Sequence, residues 1–519
     1  MQGLSTTAVR ESLAPDGTVY RIPTVDELRS SFGEVARAAE DHRRGGGTVV
    51  AVQGLGFVGA AMAAAVAGAT DGDGRPRHFV VGVDLPTEAS YWKAAKVDAG
   101  LAPVASPDRS LDDAIRHAAR VAGNLRATTV EEAYGLADVV VVDVHLDVRT
   151  RVARTADEIA VDLEGFEAAI RAIGRTMRPD ALVVIETTVP IGTTERVARP
   201  ILEEEREARG IDAPVLLANA YERVMPGPRY LESVRSYPRS YAGIDAASTR
   251  RVRDFLESFA DPGGLWQLGD TASSELGKLL ENSYRATNIA FIHEWTLLAE
   301  RIGINLFEVV DSIRVRKGTH DNMRYPGLGV GGYCLTKDSL LAQWGATHLF
   351  QSDAVLDQTL AALRVNHAMP LHTAELVDEL AGGLEARRVV VCGVSYIADV
   401  VDTRNSPTET LVGELERRGA EVGVHDPGVR EWAERPDLDV VADLKAALDG
   451  ADGVVFAVPH GEYALSPEEL ARMVPEGAFV VDGFNVISDE HARVLHDAGR
   501  ATAGVGKGHW RRMGYHRLR

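Results

Sequence analysis

The sequence predicts an α/β chain of 519 residues in which two doubly wound parallel sheets flank a helical middle. Three observations predict it. Short continuous apolar runs alternate with helical patterns toward both ends, as expected of strands buried on both faces. A glycine turn, GLGFVG at 54–59, stands between the first such run and a helical pattern. From about residue 270 the strand signal stops, and SSELGKLLENSYRATNIAFIHEWTLLAERIG carries apolar residues at three- to four-residue spacing.

Taken in order, residues 1–45 read as a polar extension with one helix, VDELRSSFGEVARAAEDHRR, stopped by Gly45, Gly46 and Gly47. Residues 46–268 form the first sheet domain. After TVVAVQ its strands read as FVVGVD (79–84), DVVVVDV (138–144), ALVVIET (181–187) and VLLANA (215–220). Residues 269–383 form the helical middle, with a second helical stretch at 351–381. Residues 384–519 restart the alternation at ARRVVVCGVSY (386–396), AEVGVHDP (420–427), GVVFAVP (453–459) and GAFVVDGFN (477–485). The basic tail, GKGHWRRMGYHRLR at 506–519, reads as a solvated, frayed terminus.

The charge balance narrows the partners. With 56 Lys and Arg against 76 Asp and Glu the formal net charge is −20. Nucleic acid and anionic membrane both require a broad basic surface, so neither is expected as a main partner. Two cysteines exclude a disulfide framework and suit a reducing compartment. MQGLSTTAVRESLAPDGTVY has no apolar secretory core, and no run approaches the ~20 apolar residues of a membrane span. The expectation is a soluble cytoplasmic protein with no metal site.

Gly54 permits the tight turn, Gly56 lets backbone approach a pyrophosphate, and Gly59 allows close helix packing, with Leu55, Phe57 and Val58 between them. The phosphates would meet free N–H groups and the positive dipole end of the following helix. Asp84 ends the second strand, where a carboxylate accepts hydrogen bonds from the adenosine ribose and disfavours a 2′-phosphate. The expected cofactor is NAD.

The two cysteines read differently. Cys392 lies in the apolar run RVVVCGV and reads as packing. Cys334 lies in GVGGYCLTKD, flanked by glycines, and reads as a loop residue. Alone it is as readily structural as nucleophilic. Beside a nicotinamide, a thiol suits attack on an aldehyde, with hydride leaving to give a thioester. Lysine is scarce, with seven in the chain, and Lys278 and Asn282 fall four apart on one helical face.

Seven motifs in order, GLGFVG with Asp84, ETTVPIGTTE (186–195), ERVMPG (222–227), ELGKLLENSYRATNIAF (275–291), GVGGYCLTKD, DTRNSP (402–407) and HDP (425–427), resemble the nucleotide-sugar dehydrogenase family. These are the UDP-glucose and UDP-N-acetylmannosamine 6-dehydrogenases, and the resemblance runs from residue 48 to about 508. It implies two Rossmann-like domains joined by a central helical dimerisation domain, the last domain holding the nucleotide sugar. It also implies oxidation of a primary alcohol to a carboxylate in two hydride transfers to NAD.

The resemblance makes Cys334 the nucleophile, with Lys278 and Asn282 stabilising negative charge on the oxygen at C6. Asp338 orients Lys278 and a water, although by position alone it reads equally as the N-cap of SLLAQW. The resemblance also places Thr188 near the reacting hydroxyl and the cofactor, makes Glu222 assist thioester hydrolysis, and has Arg404 reach the cofactor. On the resemblance the sugar nucleotide would be held by Glu222, Arg223, Val224, Lys278, Asn282, Tyr325, Gly329, Gly331 and Cys334. Lys337 is either a surface charge or a substrate contact.

The chain departs from the family at VHLD (144–147) where the pattern is V-P-T-P, at Tyr221 where it has proline, and at Ser395-Tyr396-Ile397-Ala398 where it has S/A-Y-K-P. A basic residue reaching a neighbouring subunit's substrate is also unmatched, with Arg316, Lys317, His320 and Arg324 as candidates. ERVMPG resembles the acetamido-sugar branch, whereas the Lys-Asp ending of CLTKD resembles the glucose and mannose branches. A two-electron hydroxyacid-type dehydrogenase and a non-catalytic nucleotide-sugar-binding homologue remain the alternatives.

Overall fold

A computed structural model of the chain describes residues 10–104, 106–224 and 227–517. They divide into two compact units.

The first unit comprises the chain up to Arg149, Ala160–Leu279 and Leu341–Ala354. Its sheet has eight strands: β1 Thr48–Gln53, β2 His78–Val83, β3 Leu125–Thr128, β4 Val139–Val142, β5 Leu182–Ile185, β6 Leu216–Asn219, β7 Arg239–Gly243 and β8 Leu265–Gln267. Their spatial order is β3-β2-β1-β4-β5-β6-β7-β8, and every pair is parallel except β6–β7. The order reverses between β1 and β4, the switch point where ligands meet the carboxyl ends of strands in such sheets. Val49, Val50, Ala51 and Val52 of β1 are fully buried, because helices cover both faces. Each buried valine contributes about 1.5–3 kcal/mol.

Helix α1, Val25–Arg44, starts at a capping box between Thr24 and Glu27. It seats Val35 and Ala39 in one core with Val49, Ala51 and Phe79. Residues 25–44 of the segment expected as a polar extension thus lie against the first sheet, with the helix's polar face outward. Helix α2, Phe57–Ala67, is built almost wholly of alanine, valine and glycine, and is buried from Gly59 to Ala67.

The second unit comprises Thr150–Ile159, Leu280–Leu340 and the chain from Val355 onward. Its strands are β9 Arg388–Cys392, β10 Glu421–His425, β11 Val440–Val441, β12 Gly453–Phe456, β13 Phe479–Asp482 and β14 Thr502–Gly504. They pair in parallel in the order β11-β10-β9-β12-β13-β14. Cys392 is fully buried in β9, as its apolar surroundings predict. The long helix α3, Thr271–Ile302, begins in the first unit and continues into the second. Helix α4 spans Tyr333–Trp344, and α5 spans Asp357–Ala381, ending on left-handed Gly382.

The tail corrects its expectation. Gly508–Arg512 is helical, and Lys507, His509 and Trp510 are buried. Lys507 Nζ donates to Asp482 Oδ2 at 2.9 Å, and Trp510 Nε1 donates to Asp489 Oδ1 at 2.7 Å. Exposure begins only beyond Trp510, at Arg511, Arg512 and Met513, so net charge misjudged a segment anchored by one tryptophan and one paired lysine. Leu518 and Arg519 lie outside the described residues. Among the described residues no helix is long and apolar enough to cross a membrane, and no group of three or more His, Cys, Asp or Glu could hold a metal ion.

Candidate active site

At the switch point of the first sheet, Gly54 takes φ +87°, and a Cβ there would lie 2.5 Å from the Asp143 carbonyl oxygen. A Cβ on Gly59 would lie 1.8 Å from Gly54 O, so the turn closes only on glycine. Gly56 N-caps α2 without any side-chain bond, and a Cβ on it would meet nothing within 4 Å. Open space therefore faces the free N–H groups of a helix start, which fits a pyrophosphate. Leu55 is buried, whereas Phe57 and Val58 are half-buried, with the Phe57 ring stacked on Tyr230 at 4.4 Å. Asp84 accepts from Leu55 N at 2.9 Å and from Leu85 N at 2.8 Å. Each carboxylate oxygen keeps a second lone pair for a ribose hydroxyl. These residues fit NAD.

Beside this cradle the first unit gathers a polar cluster. Lys278 of α3 donates to Glu222 O at 2.8 Å and to Glu222 Oε1 at 3.1 Å, both side chains being 9% exposed. Val224 N–H donates to Glu222 Oε2, which fixes the carboxylate. Tyr221, in place of the expected proline, lies against Gly277 and accepts from Arg223 at 3.1 Å. Met225 and Pro226 of ERVMPG lie outside the described residues. Thr188 is half-buried just past β5, and the neighbouring Thr187 Oγ1 donates to Val144 O at 2.8 Å.

Glu275, to which the sequence reading gave no role, lies one turn before Lys278 on α3. Its carboxylate accepts from Gly192 N, Thr194 N and Thr194 Oγ1, pinning the GTT loop to α3. Burial pushes its pKa up to about 7 against those hydrogen bonds. The signal was its place in ELGKLLEN, one turn before Lys278. Asp143, Glu186 and Arg239 also come together here, from three separate strand ends.

In the second unit Cys334 is the second residue of α4 and half-buried, which corrects its reading as a loop cysteine. Gly332, at φ +81°, ends the loop at once, and Thr336 Oγ1 donates to Gly332 O at 2.8 Å in the first turn. Asp338 is likewise inside α4, so it is not the N-cap. It accepts from Asn282 Nδ2 at 2.7 Å and from Lys337 Nζ at 3.2 Å, and is 1% exposed. Lys337 is buried, with its ammonium over the Tyr333 ring at 4.3 Å, so it is not a surface charge.

Arg404 binds Asp402 through Nε at 2.9 Å and NH2 at 2.6 Å. Asp402 raises the guanidinium pKa first, and charge on Cys334 adds to the effect. Tyr396 is pushed up to about 12 by burial, then by Asp402 and Cys334. A Cβ on Gly332 would lie 2.8 Å from the Tyr396 ring, and one on Gly331 2.7 Å from Pro407. Tyr325 donates to Asp311 at 2.5 Å and, with Gly329, lines a cavity of about 520 Å³. His293, Phe307, Arg324 and Phe484 are among the other residues of its wall. The volume is that of a small-molecule site.

Three family models match the chain. They are the UDP-glucose/GDP-mannose dehydrogenase NAD binding domain at residues 48–252, the central domain at 272–367 and the UDP binding domain at 390–489. The UDP-N-acetyl-D-mannosamine dehydrogenase of Pyrococcus horikoshii is 30% identical over 448 residues, covering 85% of this chain and 96% of that protein. The NDP-N-acetyl-D-galactosaminuronic acid dehydrogenase of Ralstonia nicotianae is 29% identical over 421 residues, covering 80% and 91%. The crystal structure of an NDP-N-acetyl-D-galactosaminuronic acid dehydrogenase from Methanosarcina mazei superposes with a TM-score of 0.75 at 28% identity, covering 92% of this chain and 98% of that one. The chain belongs to the UDP-glucose/GDP-mannose dehydrogenase family, and is an NAD-dependent nucleotide-sugar dehydrogenase.

Proposed function

We propose that the protein oxidises the C6 primary alcohol of a UDP-linked hexose, of the glucose or 2-acetamido-hexose type, to a uronic acid in two steps. The observation that carries this reading is Cys334 in the first turn of α4, on the helix whose Asp338 binds Asn282, with Lys278 one turn earlier on α3. NAD, when bound, supplies the hydride acceptor for each oxidation. Overall, RCH2OH, two NAD⁺ and one water give RCOO⁻, two NADH and three protons.

In the first step Lys278 and Asn282 stabilise the oxygen that loses its proton as C6 becomes an aldehyde. The Cys334 sulfur then adds to that carbon, giving a thiohemiacetal, and loss of the second hydride leaves a thioester. The N–H groups of the first α4 turn favour negative charge on the sulfur. Glu222, held by Lys278 and Val224, positions and deprotonates the water that cleaves the thioester to carboxylate and free thiol. Thr188 lies near the reacting hydroxyl, Arg404 meets the cofactor, and the cavity beside Tyr325 and Gly329 holds part of the sugar nucleotide.

Along α3, Leu280, Tyr284, Phe291, Trp295, Leu298 and Ile302 follow three-, four- and seven-residue spacings, and each leaves nearly half or more of its surface exposed. Such a stripe supports a dimer through this helix.

The test is the number of NADH formed per substrate consumed, with UDP-N-acetylmannosamine and UDP-glucose compared. Two NADH are expected. A ratio of one would replace this reading with the hydroxyacid type, and NAD binding without turnover on either sugar would favour a non-catalytic homologue.

A further inference from the structure

Asp143 ends the run VVVV of β4 and passes directly beneath the glycine turn, with its carbonyl oxygen against Gly54 and its Cβ toward Gly59. Both of its carboxyl oxygens are shielded from solvent and have no hydrogen-bond donor, and the same is true of Glu186 Oε2. The other Glu186 oxygen accepts from Arg239 NH1 at 2.5 Å, and both of these side chains are 3% exposed or less. Two ionised carboxylates are acceptors only, so burying these oxygens together without a donor carries a large penalty. One proton held between them removes it, because a neutral acid donates where a carboxylate accepts.

We propose that Asp143 is a positioning residue that keeps its carboxyl proton and donates it to Glu186, so that the Glu186–Arg239 pair stays fixed beside Glu222. The charged groups facing Asp143 are Glu186, Glu222 and Arg239. Burial raises the Asp143 pKa well above the usual carboxylate range, and Glu186 and Glu222 raise it further, while Arg239 opposes. Glu186 is raised by burial as well, with Arg239 and the bond from Asp143 opposing. Were Asp143 to ionise, three carboxylates would crowd one arginine, and the Glu222–Lys278 contact would lose its support. The link to turnover rests on Glu222 being the base of thioester hydrolysis; the protonation of Asp143 does not.

The test compares the wild-type protein with Asp143→Asn and Asp143→Ala. Infrared spectra at mildly alkaline pH should show a neutral carboxylic-acid band in the wild type that is absent in both variants. Asn keeps a donor for Glu186, so its Tm should match or exceed that of the wild type at alkaline pH, the difference closing as pH falls toward 4. Ala leaves Glu186 Oε2 without a donor and should lower Tm. In turnover, Ala should reduce kcat more than KM, and Asn should restore most of kcat and move the alkaline limb of the rate to higher pH. A wild-type spectrum without the acid band, or an Asn variant that unfolds and turns over like Ala, would overturn the proposal. An acid band present with kcat unchanged in Ala would overturn the link to Glu222 alone.

Discussion

The contact between Lys278 and Glu222 can be broken one partner at a time. Lys278→Met keeps most of the side-chain volume and removes the ammonium. It leaves the Glu222 carboxylate, 9% exposed, without the Nζ that lies 3.1 Å from its Oε1. Removing one partner of a buried pair costs about 3–5 kcal/mol, and the residual exposure here favours the lower figure. For a domain of this size each kcal/mol moves Tm by about 2–4 °C, so a fall of roughly 6–12 °C is expected. Glu222→Gln should cost less, because its amide oxygen still accepts from Nζ and the bond to Glu222 O at 2.8 Å remains. The double variant should recover stability relative to Lys278→Met, since no unpaired carboxylate is left. Calorimetry of the three variants at neutral pH measures this. A Lys278→Met protein within about 1 °C of wild type would refute the contact as a buried ion pair.

Other outcomes follow from the same geometry. Asp84→Ala removes the acceptor tied to Leu55 N, and should weaken NAD binding about tenfold, roughly 1.4 kcal/mol, while narrowing the preference over NADP; titration calorimetry with both dinucleotides reads this. Leu280→Glu with Trp295→Glu should convert a dimer to monomer by light scattering, whereas a wild-type protein that is monomeric at micromolar concentration would remove the assembly proposal. His293 is 1% exposed, and burial pushes its pKa down to about 4 against the bond that its Nδ1 donates to Asn366 Oδ1. In the unfolded chain the ring protonates near 6.5, so the stability it contributes is fully present above that pH and is lost as pH falls toward 4. The loss is about 3 kcal/mol, and His293→Gln should flatten this part of the stability profile measured by urea unfolding.

The strands of both sheets that carry continuous valine runs were legible because burial on two faces leaves no room for polar alternation. The strands the sequence did not reveal, LRAT, RSYAG and LWQ in the first sheet, are short and carry polar residues toward the sheet margins. The glycine turn was readable in the sequence, since Gly54 and Gly59 occupy positions that admit no other side chain. Cys334 and Asp338 were found as residues but misplaced in structure: two preceding glycines suggest a loop, yet the helix starts at the residue immediately after them. Glu275 and Asp143 were missed because their importance lies in contacts across 81 and 43 positions of sequence, to Thr194 and Glu186 respectively, which no local pattern encodes.

The most direct measurement is mass spectrometry of the peptide containing Cys334, taken from a Glu222→Gln variant quenched during turnover with nucleotide sugar and NAD. Slowed hydrolysis should trap the sugar as an acyl group on that sulfur, with hydroxylamine releasing it. Complete oxidation to the uronic acid by protein in which this sulfur is alkylated or replaced by serine would contradict the covalent route.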